Sequence, residues 1–202
     1  MKGMTALLTI ASYPAWEIVG QRAQKLSTQL KATVASLAAF NDAVQTVSDL
    51  GNNLKGASRD VGACVTRVCM RQRAIESRLK AVADALSDEL SVAIQQRTAF
   101  WKGRTNDLDK GAARHVKKIR SRKGRPDEGA VFEQRAICTQ LLMEQRTQFA
   151  FFVNSILPVL NSEVVLLEEG LHVRPATESL ESTLKHVDGE NLVTTILSDL
   201  TQ

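Results

Sequence analysis

Few residues of this 202-residue chain have the types and spacing of a catalytic or metal site. The three histidines, His115, His172 and His186, are far apart, and none has a companion at the spacing of metal ligands. The neighbouring acids Glu168 and Glu169 are typical of a solvated helix surface rather than of two carboxylates arranged for acid–base catalysis. We therefore expect a protein that is not an enzyme and that holds no metal or cofactor.

The three cysteines, Cys64, Cys69 and Cys138, also lack the pattern of a chemical site. An odd number without framework spacing does not indicate a disulfide scaffold. Cys64 and Cys69 lie five residues apart on one expected helix, with no His or Cys partner beside them. We interpret all three as buried, reduced thiols of a cytosolic protein.

The segment Gly51-Asn52-Asn53-Leu54-Lys55-Gly56 has the outer glycines of a phosphate-binding loop. Ala57 stands where that motif requires lysine, and the preceding element is expected to be a helix rather than a strand. The segment therefore predicts a turn between two helices and not a nucleotide site.

The basic segment, residues 110–125, is the one feature with the properties of a binding site. It contains eight lysines and arginines and no acid, whereas the tail after residue 160 is acidic. Its cations are Lys110, Arg114, Lys117, Lys118, Arg120, Arg122, Lys123 and Arg125. On a helix, four of them fall near one face. A solvated surface would intersperse acids, so the segment indicates an anionic partner.

Two kinds of anion could meet the basic segment. Each Lys or Arg near an anionic leaflet contributes on the order of 1 kcal/mol, so several can dock a protein reversibly on a membrane. Nucleic acid would also attract eight cations, but the segment has no aromatic residue for base stacking and no DNA-binding motif. The residues favour a membrane over nucleic acid.

Long helices must position this segment. Aromatics make up only 4% of the chain, and no proline occurs between Pro14 and Pro126. Over residues 16–50, apolar residues recur in steps of three and four, near the 3.5-residue period of coiled coils. This stripe consists of Trp16, Val19, Ala23, Leu26, Leu30, Val34, Leu37, Phe40, Val44, Val47 and Leu50.

The same spacing predicts two further long helices and two short ones. One helix runs from 58 to 123, roughly 100 Å at 1.5 Å per residue, and another runs from about 127 to 169 with a kink at Pro158. Short amphipathic pieces at 179–187 and 191–200 can pack as a cap. A helix longer than a compact monomer needs must lie against partners along its length.

The expected fold is therefore all-α, an elongated antiparallel helical bundle or coiled coil that forms an antiparallel homodimer. We expect one domain over 1–202, with an N-terminal amphipathic segment (1–15), long helices (16–170) and capping helices (171–202). No apolar run approaches the ~18 residues that cross a bilayer, so no transmembrane helix is predicted.

Specific blocks of sequence resemble the inverse-BAR (I-BAR) domain, also called the missing-in-metastasis homology domain (IMD), in the branch of missing-in-metastasis itself. The likeness covers about residues 12–170. The matching blocks are Ser12-Tyr13-Pro14-Ala15-Trp16-Glu17, Thr66 to Arg73 followed by Ile75-Glu76, Trp101-Lys102, Leu108-Asp109-Lys110, Lys117-Lys118, Glu144 to Phe149 and Leu157-Pro158-Val159.

This resemblance implies an antiparallel homodimer at the inner face of the plasma membrane. Such domains bind phosphoinositide-rich membranes and favour outward-protruding, negative curvature; members also associate with F-actin and some with a Rac-type small GTPase. By position, Lys110, Lys117 and Lys118 match the basic end of the family's second helix. A membrane-inserting N-terminal segment would use Met4, Leu7 and Leu8.

One departure from the family is large, because the hairpin between Lys118 and Glu144 is shortened. We therefore expect membrane binding to be retained better than strong deformation. The alternative function is bundling of actin filaments as a cytoskeletal adaptor with weak membrane contact. A non-specific nucleic-acid-binding bundle is a more distant third, and no nucleic acid is expected as a partner.

Overall fold

The computed structural model describes residues 12–54, 56–121, 128–186, 193–194 and 197–198. Five α-helices and one π-helical segment occupy almost all of them. They are α1 (Ser12–Asn52), α2 (Ala57–Asp84), the π-helical segment (Ala85–Ser91), α3 (Val92–Ser121), α4 (Glu128–Leu171) and α5 (Val173–Lys185). No strand occurs in the described part of the chain, which confirms the all-α class.

The helix boundaries differ from the prediction in three places. α1 begins at Ser12, ahead of Pro14, because a proline in the first turn removes only an N–H that would have no helical partner. The same reason lets α5 begin at Val173 and include Pro175, where the sequence had placed a break. The helix predicted from 58 to 123 is interrupted by the seven-residue π-helical segment, a form that periodicity of apolar residues does not reveal.

The chain divides into two compact units. Unit 1 consists of the described parts of Met1–Leu26 and Ala85–Val159, and unit 2 of those of Ser27–Asp84 and Leu160–Gln202. α1 and α4 each contribute residues to both units.

In unit 2, α1 and α2 pack antiparallel through small and polar residues. The buried Ser27 Oγ donates to the Ala83 carbonyl at 2.6 Å, and the buried Ser48 Oγ donates to the Gly62 carbonyl at 2.8 Å. Each such bond contributes about 1 kcal/mol net. Near the turn the two backbones come so close that a Cβ at Gly62 would lie 2.7 Å from the backbone N of Asn52.

In unit 1, an aromatic cluster joins α1, α3 and α4. The ring of Trp16 lies 5.6 Å from that of Trp101, 5.6 Å from that of Phe149 and 4.9 Å from that of Phe152. Trp101 also meets Phe151 edge to face at 5.1 Å. Edge-to-face pairs are each worth roughly 0.5–1.5 kcal/mol beyond their buried area, so these ring contacts stabilise the packing of the three helices in this unit.

The apolar stripe predicted for α1 is only partly the stripe that the chain buries. Trp16 and Ala23 are buried, but Phe40, Val47 and Leu50 are 63%, 66% and 64% exposed. The most buried α1 side chains further along are instead polar, namely Ser27, Asn41 and Ser48. Only part of the stripe is therefore buried within the single chain, because small polar residues allow the close approach of α2.

Candidate functional site

The described cations of the basic segment lie on the second half of α3. Lys110, Arg114 and Lys117 are exposed and four or three residues apart, so they share one face of the helix. Lys118 and Arg120 lie on the last turn of α3. Arg122, Lys123 and Arg125 lie outside the described residues, as do Met4, Leu7 and Leu8 of the N-terminal segment.

Among the described residues these three cations have no acidic partner, unlike seven other cations of the helices. Within the described residues, no carboxylate oxygen lies within 4.0 Å of Lys110, Arg114 or Lys117. Elsewhere the pairing is frequent: Lys31 lies 2.9 Å from Asp84, Arg73 lies 2.7 Å from Asp42, Arg104 lies 3.6 Å from Glu144, and Lys102 pairs with Glu17. The face of α3 near its C-terminus therefore presents uncompensated positive charge.

His115 lies inside the basic segment but does not belong to its exposed face. Although its neighbours in the sequence are cations, its side chain is buried, at 4% exposure. Its Nδ1 lies 3.2 Å from Oε2 of Glu133 on α4. The seven-residue spacing of the buried Ile94, Trp101 and Leu108 continues to His115, which explains why that position faces α4.

α3 and α4 run antiparallel where they carry this face. Arg104 pairs with Glu144 and His115 with Glu133, so the contacts on α4 move towards its N-terminus as α3 advances. Leu108 and Leu141 are buried beside these polar contacts. The exposed cations are therefore held on a helix that is packed along its opposite face.

The cysteines and histidines do not assemble into a chemical site. Cys64 and Cys69 are buried free thiols, as predicted, and Cys138 is half-buried. Burial raises the pKa of the Cys69 thiol above its ordinary value, which lowers the reactive thiolate fraction. In the described part of the chain, no three His, Cys, Asp or Glu side chains come together as metal ligands.

α4 carries a longer apolar stretch than the sequence pattern predicted. The helical stretch Val131–Lys185 includes an 18-residue window with mean hydropathy 1.7 and at most two charged residues, of which 11% is buried in the single chain. By length and composition this stretch could span a bilayer, contrary to the expectation of no such segment. Phe149, Leu157 and Leu167 are among its exposed side chains.

Comparisons with known proteins agree on one family. Residues 4–125 match the model of the IRSp53/MIM homology domain, IMD. The chain is 33% identical to Protein MTSS 1 of Homo sapiens over 203 residues, which is 85% of this chain and 27% of that protein. It is 32% identical to Protein MTSS 2 of Homo sapiens over 205 residues, 84% of this chain and 27% of that protein.

A solved structure shows the same fold. The N-terminal I-BAR domain (1–259) of IBARa from D. discoideum superposes with a TM-score of 0.65 at 15% identity, covering 98% of this chain and 96% of that one. The antiparallel helical architecture predicted from the sequence is therefore confirmed as the I-BAR fold.

The curated relatives are longer than this chain. The chain spans about a quarter of the length of the curated relatives that it matches. The alignment with MTSS 1 extends over 203 residues but takes in 85% of this 202-residue chain. The relative therefore has residues with no counterpart in this chain.

Proposed function

Because the chain belongs to the IRSp53/MIM homology-domain (I-BAR) family, we propose that it binds phosphoinositide-rich plasma membrane as a homodimer. In this role it senses or generates negative curvature and links the membrane to the actin cytoskeleton. I-BAR domains are dimeric, membrane-binding scaffolds, and we extend that role to residues 1–202 as one domain. The proposal includes no catalytic activity.

The observation that carries the membrane contact is the uncompensated charge of α3. Lys110, Arg114 and Lys117 are exposed on one face and have no described carboxylate within 4.0 Å. Each cation near an anionic surface contributes about 1 kcal/mol of binding free energy, so these three contribute roughly 3 kcal/mol per chain. Arg120, Lys118 and the cations of residues 122–125 add to the same segment, and a dimer gains by presenting two of them.

The exposed apolar side chains support the dimer. In unit 1 they include Ile18 and Leu26 of α1 and Val153 of α4; in unit 2 they include Phe40 of α1 and Val164 of α4. So much exposed apolar surface on a soluble chain is typical of an interface. A second copy covers it in this proposal, and the same contact accounts for the apolar window of α4 without a bilayer.

The shortened hairpin sets the expected strength of deformation. Fewer residues in α3 and α4 leave less surface with which to impose a curvature on the bilayer. We therefore expect binding to anionic vesicles to be retained and tubule formation to be weaker than for a full-length family domain. Contacts with F-actin and with a Rac-type GTPase belong to the same proposal, and the described residues supply no separate site for either.

Vesicle co-sedimentation tests the membrane contact. The triple variant Lys110→Ala/Arg114→Ala/Lys117→Ala removes three cations from the proposed face. Its matched control, Lys25→Ala/Arg59→Ala/Arg146→Ala, removes three exposed cations from other helices. These are compared with the unaltered protein on vesicles with and without phosphatidylinositol bisphosphate.

We expect the unaltered protein and the control variant to pellet with phosphoinositide vesicles. The triple variant should lose at least about tenfold in affinity, since about 1.4 kcal/mol corresponds to tenfold, and high salt should weaken all binding. Equal losses in both variants, or none in either, would show that this face is not the membrane site. Filament co-sedimentation without vesicle binding would favour the actin-bundling alternative.

Light scattering without detergent tests the dimer. A monodisperse particle of twice the chain mass of 22.2 kDa is expected. A monomer, or a protein that requires detergent to stay in solution, would contradict the proposed use of the apolar faces.

A further inference from the structure

A surface cavity in unit 2 lies between α2 and the region where α4 ends and α5 begins. Its volume is about 480 Å³, within the roughly 300–1,000 Å³ of small-molecule sites. Arg67 and Arg71 line it from α2, and His172 and Ser179 line it from the opposite side. None of its lining residues is acidic.

Arg67 is held in place by groups other than carboxylates. Its Nη2 donates to Sγ of Cys64 at 2.8 Å and to Oγ of Ser179 at 3.3 Å. Among the described residues, no carboxylate oxygen lies within 4.0 Å of this guanidinium. A guanidinium has five N–H donors, so Arg67 is oriented towards α5 with donors to spare.

Arg71 adds a second incompletely neutralised cation. Its nearest described carboxylate is Glu169, at 3.9 Å, and the same carboxylate lies 4.0 Å from Arg78. One acid is therefore shared by two cations at distances too long for hydrogen bonds. Two guanidinium groups on one wall of a cavity match an oxyanion with several acceptor oxygens, as a phosphate has.

The rest of the cavity is apolar. Met70 is 65% exposed, and Pro175 and Ala176 lie across from it on α5. A flexible thioether adapts to a flat or irregular apolar group. The polyol ring of an inositol headgroup would leave this surface unused, whereas a phenyl ring would cover it.

We propose that the cavity between α2 and α5 binds a phosphate monoester carried on an apolar group, the chemistry of a phosphotyrosine side chain in a peptide. The phosphate lies against Arg67 and Arg71, and the ring contacts Met70, Pro175 and Ala176. This site is on other helices than the basic segment, so it is independent of the proposed membrane contact.

Methionine-methyl NMR gives a direct readout with phenyl phosphate as the probe. The chain has four methionines, of which Met70 lines the cavity and Met143 lies on α4 away from it. Assignment uses Met70→Leu and Met143→Leu. Titration with phenyl phosphate should shift the Met70 methyl signal in a saturable way and leave that of Met143 unchanged.

Three variants locate the binding. Arg67→Gln/Arg71→Gln should weaken phenyl phosphate at least tenfold, whereas Arg59→Gln, which removes one exposed cation of α2 outside the cavity, should change it less than about twofold. Ala176→Phe keeps all charges but fills the cavity, so it should also abolish the Met70 shift. Helix content by circular dichroism shows that each variant is folded.

Competing ligands decide the chemistry. Inorganic phosphate should bind at least about fivefold more weakly than phenyl phosphate, because burial of the ring contributes. If free inositol trisphosphate binds as tightly as phenyl phosphate or more tightly, the proposal that the phosphate is carried on an apolar group is wrong. The proposed site would be wrong if phenyl phosphate did not shift the Met70 methyl signal. It would also be wrong if Arg67→Gln/Arg71→Gln lost vesicle binding but kept phenyl phosphate binding. The triple variant of the basic segment should bind phenyl phosphate normally, which separates this test from that of the membrane contact.

Discussion

Replacing glycine by alanine at two helical positions should change stability in opposite directions. Gly62 lies in α2 against the end of α1, and Gly103 lies in α3. An alanine Cβ at Gly62 would lie 2.7 Å from both the backbone N and the side-chain Oδ1 of Asn52, and 2.8 Å from the carbonyl carbon of Gly51. At Gly103 a Cβ would have no neighbour within 4 Å.

The distances set the magnitudes. Ordinary contact begins near 3.4 Å, so Gly62→Ala must separate α1 from α2 by about 0.7 Å, and this also stretches the Ser48–Gly62 hydrogen bond. Overpacking costs about 1–3 kcal/mol, and loss of the buried hydrogen bond costs about 1 kcal/mol more. Alanine returns about 1 kcal/mol of helix propensity. The expected net loss for Gly62→Ala is about 1–3 kcal/mol.

Gly103→Ala gains helix propensity and introduces no steric overlap, so it should stabilise the protein by about 0.5–1 kcal/mol. The assay is reversible chemical denaturation followed by circular dichroism. All proteins are compared at one concentration, because the stability of a dimer depends on it. In thermal unfolding the two variants should move Tm apart by several degrees, at roughly 2–4 °C per kcal/mol. A Gly62→Ala protein as stable as the unaltered one would refute the close approach of α1 and α2 as the reason for glycine at that position. A destabilised Gly103→Ala protein would contradict the open space at Gly103.

Three further substitutions test other contacts by the same denaturation assay. Trp101→Ala should cost about 3–5 kcal/mol, since it removes a buried ring that contacts Trp16 and Phe151, and a loss below about 1 kcal/mol would contradict that role. Ser27→Ala should cost about 1 kcal/mol because it removes the buried hydrogen bond from the Ser27 hydroxyl to the Ala83 carbonyl of α2; an unchanged midpoint would contradict it. Hydrogen bonds from Lys80 and Lys31 hold the pKa of Asp84 below its ordinary value of 3.8. Because the pKa is lower in the folded than in the unfolded state, the ionised carboxylate stabilises the fold above the unfolded-state pKa, and this stabilisation is lost as the pH falls through the folded-state pKa. Below about pH 4 the unaltered protein should therefore lose more stability than Asp84→Asn. Parallel pH profiles would exclude the contribution.

Much of the helical architecture could be predicted because its causes are local. The absence of proline between Pro14 and Pro126 and the recurrence of apolar residues predicted helices that the structure places at 12–52, 57–121 and 128–171, apart from the π-helical segment. The grouping of cations without acids in residues 110–125 was visible as composition, and three of them are exposed on one face of α3.

The candidate cavity could not be predicted, since its walls are far apart in the sequence. Arg67 meets Ser179 across 112 residues, and no local pattern indicates that pairing. His115 is a different case, because continuing the seven-residue spacing of Ile94, Trp101 and Leu108 would have placed it in the buried row.

Composition and apolar periodicity are enough to show that the chain is helical, where its positive charge is concentrated, and that each long helix has an apolar face. Which face is buried within one chain depends on the tertiary packing. Ser27, Ser48 and Gly62 are small, so α1 and α2 can approach closely and bond side-chain hydroxyls to backbone carbonyls. Phe40 and Val47 are left on the outside as a consequence. Hydrophobic periodicity identifies such a stripe, but close packing between particular residues decides what covers it.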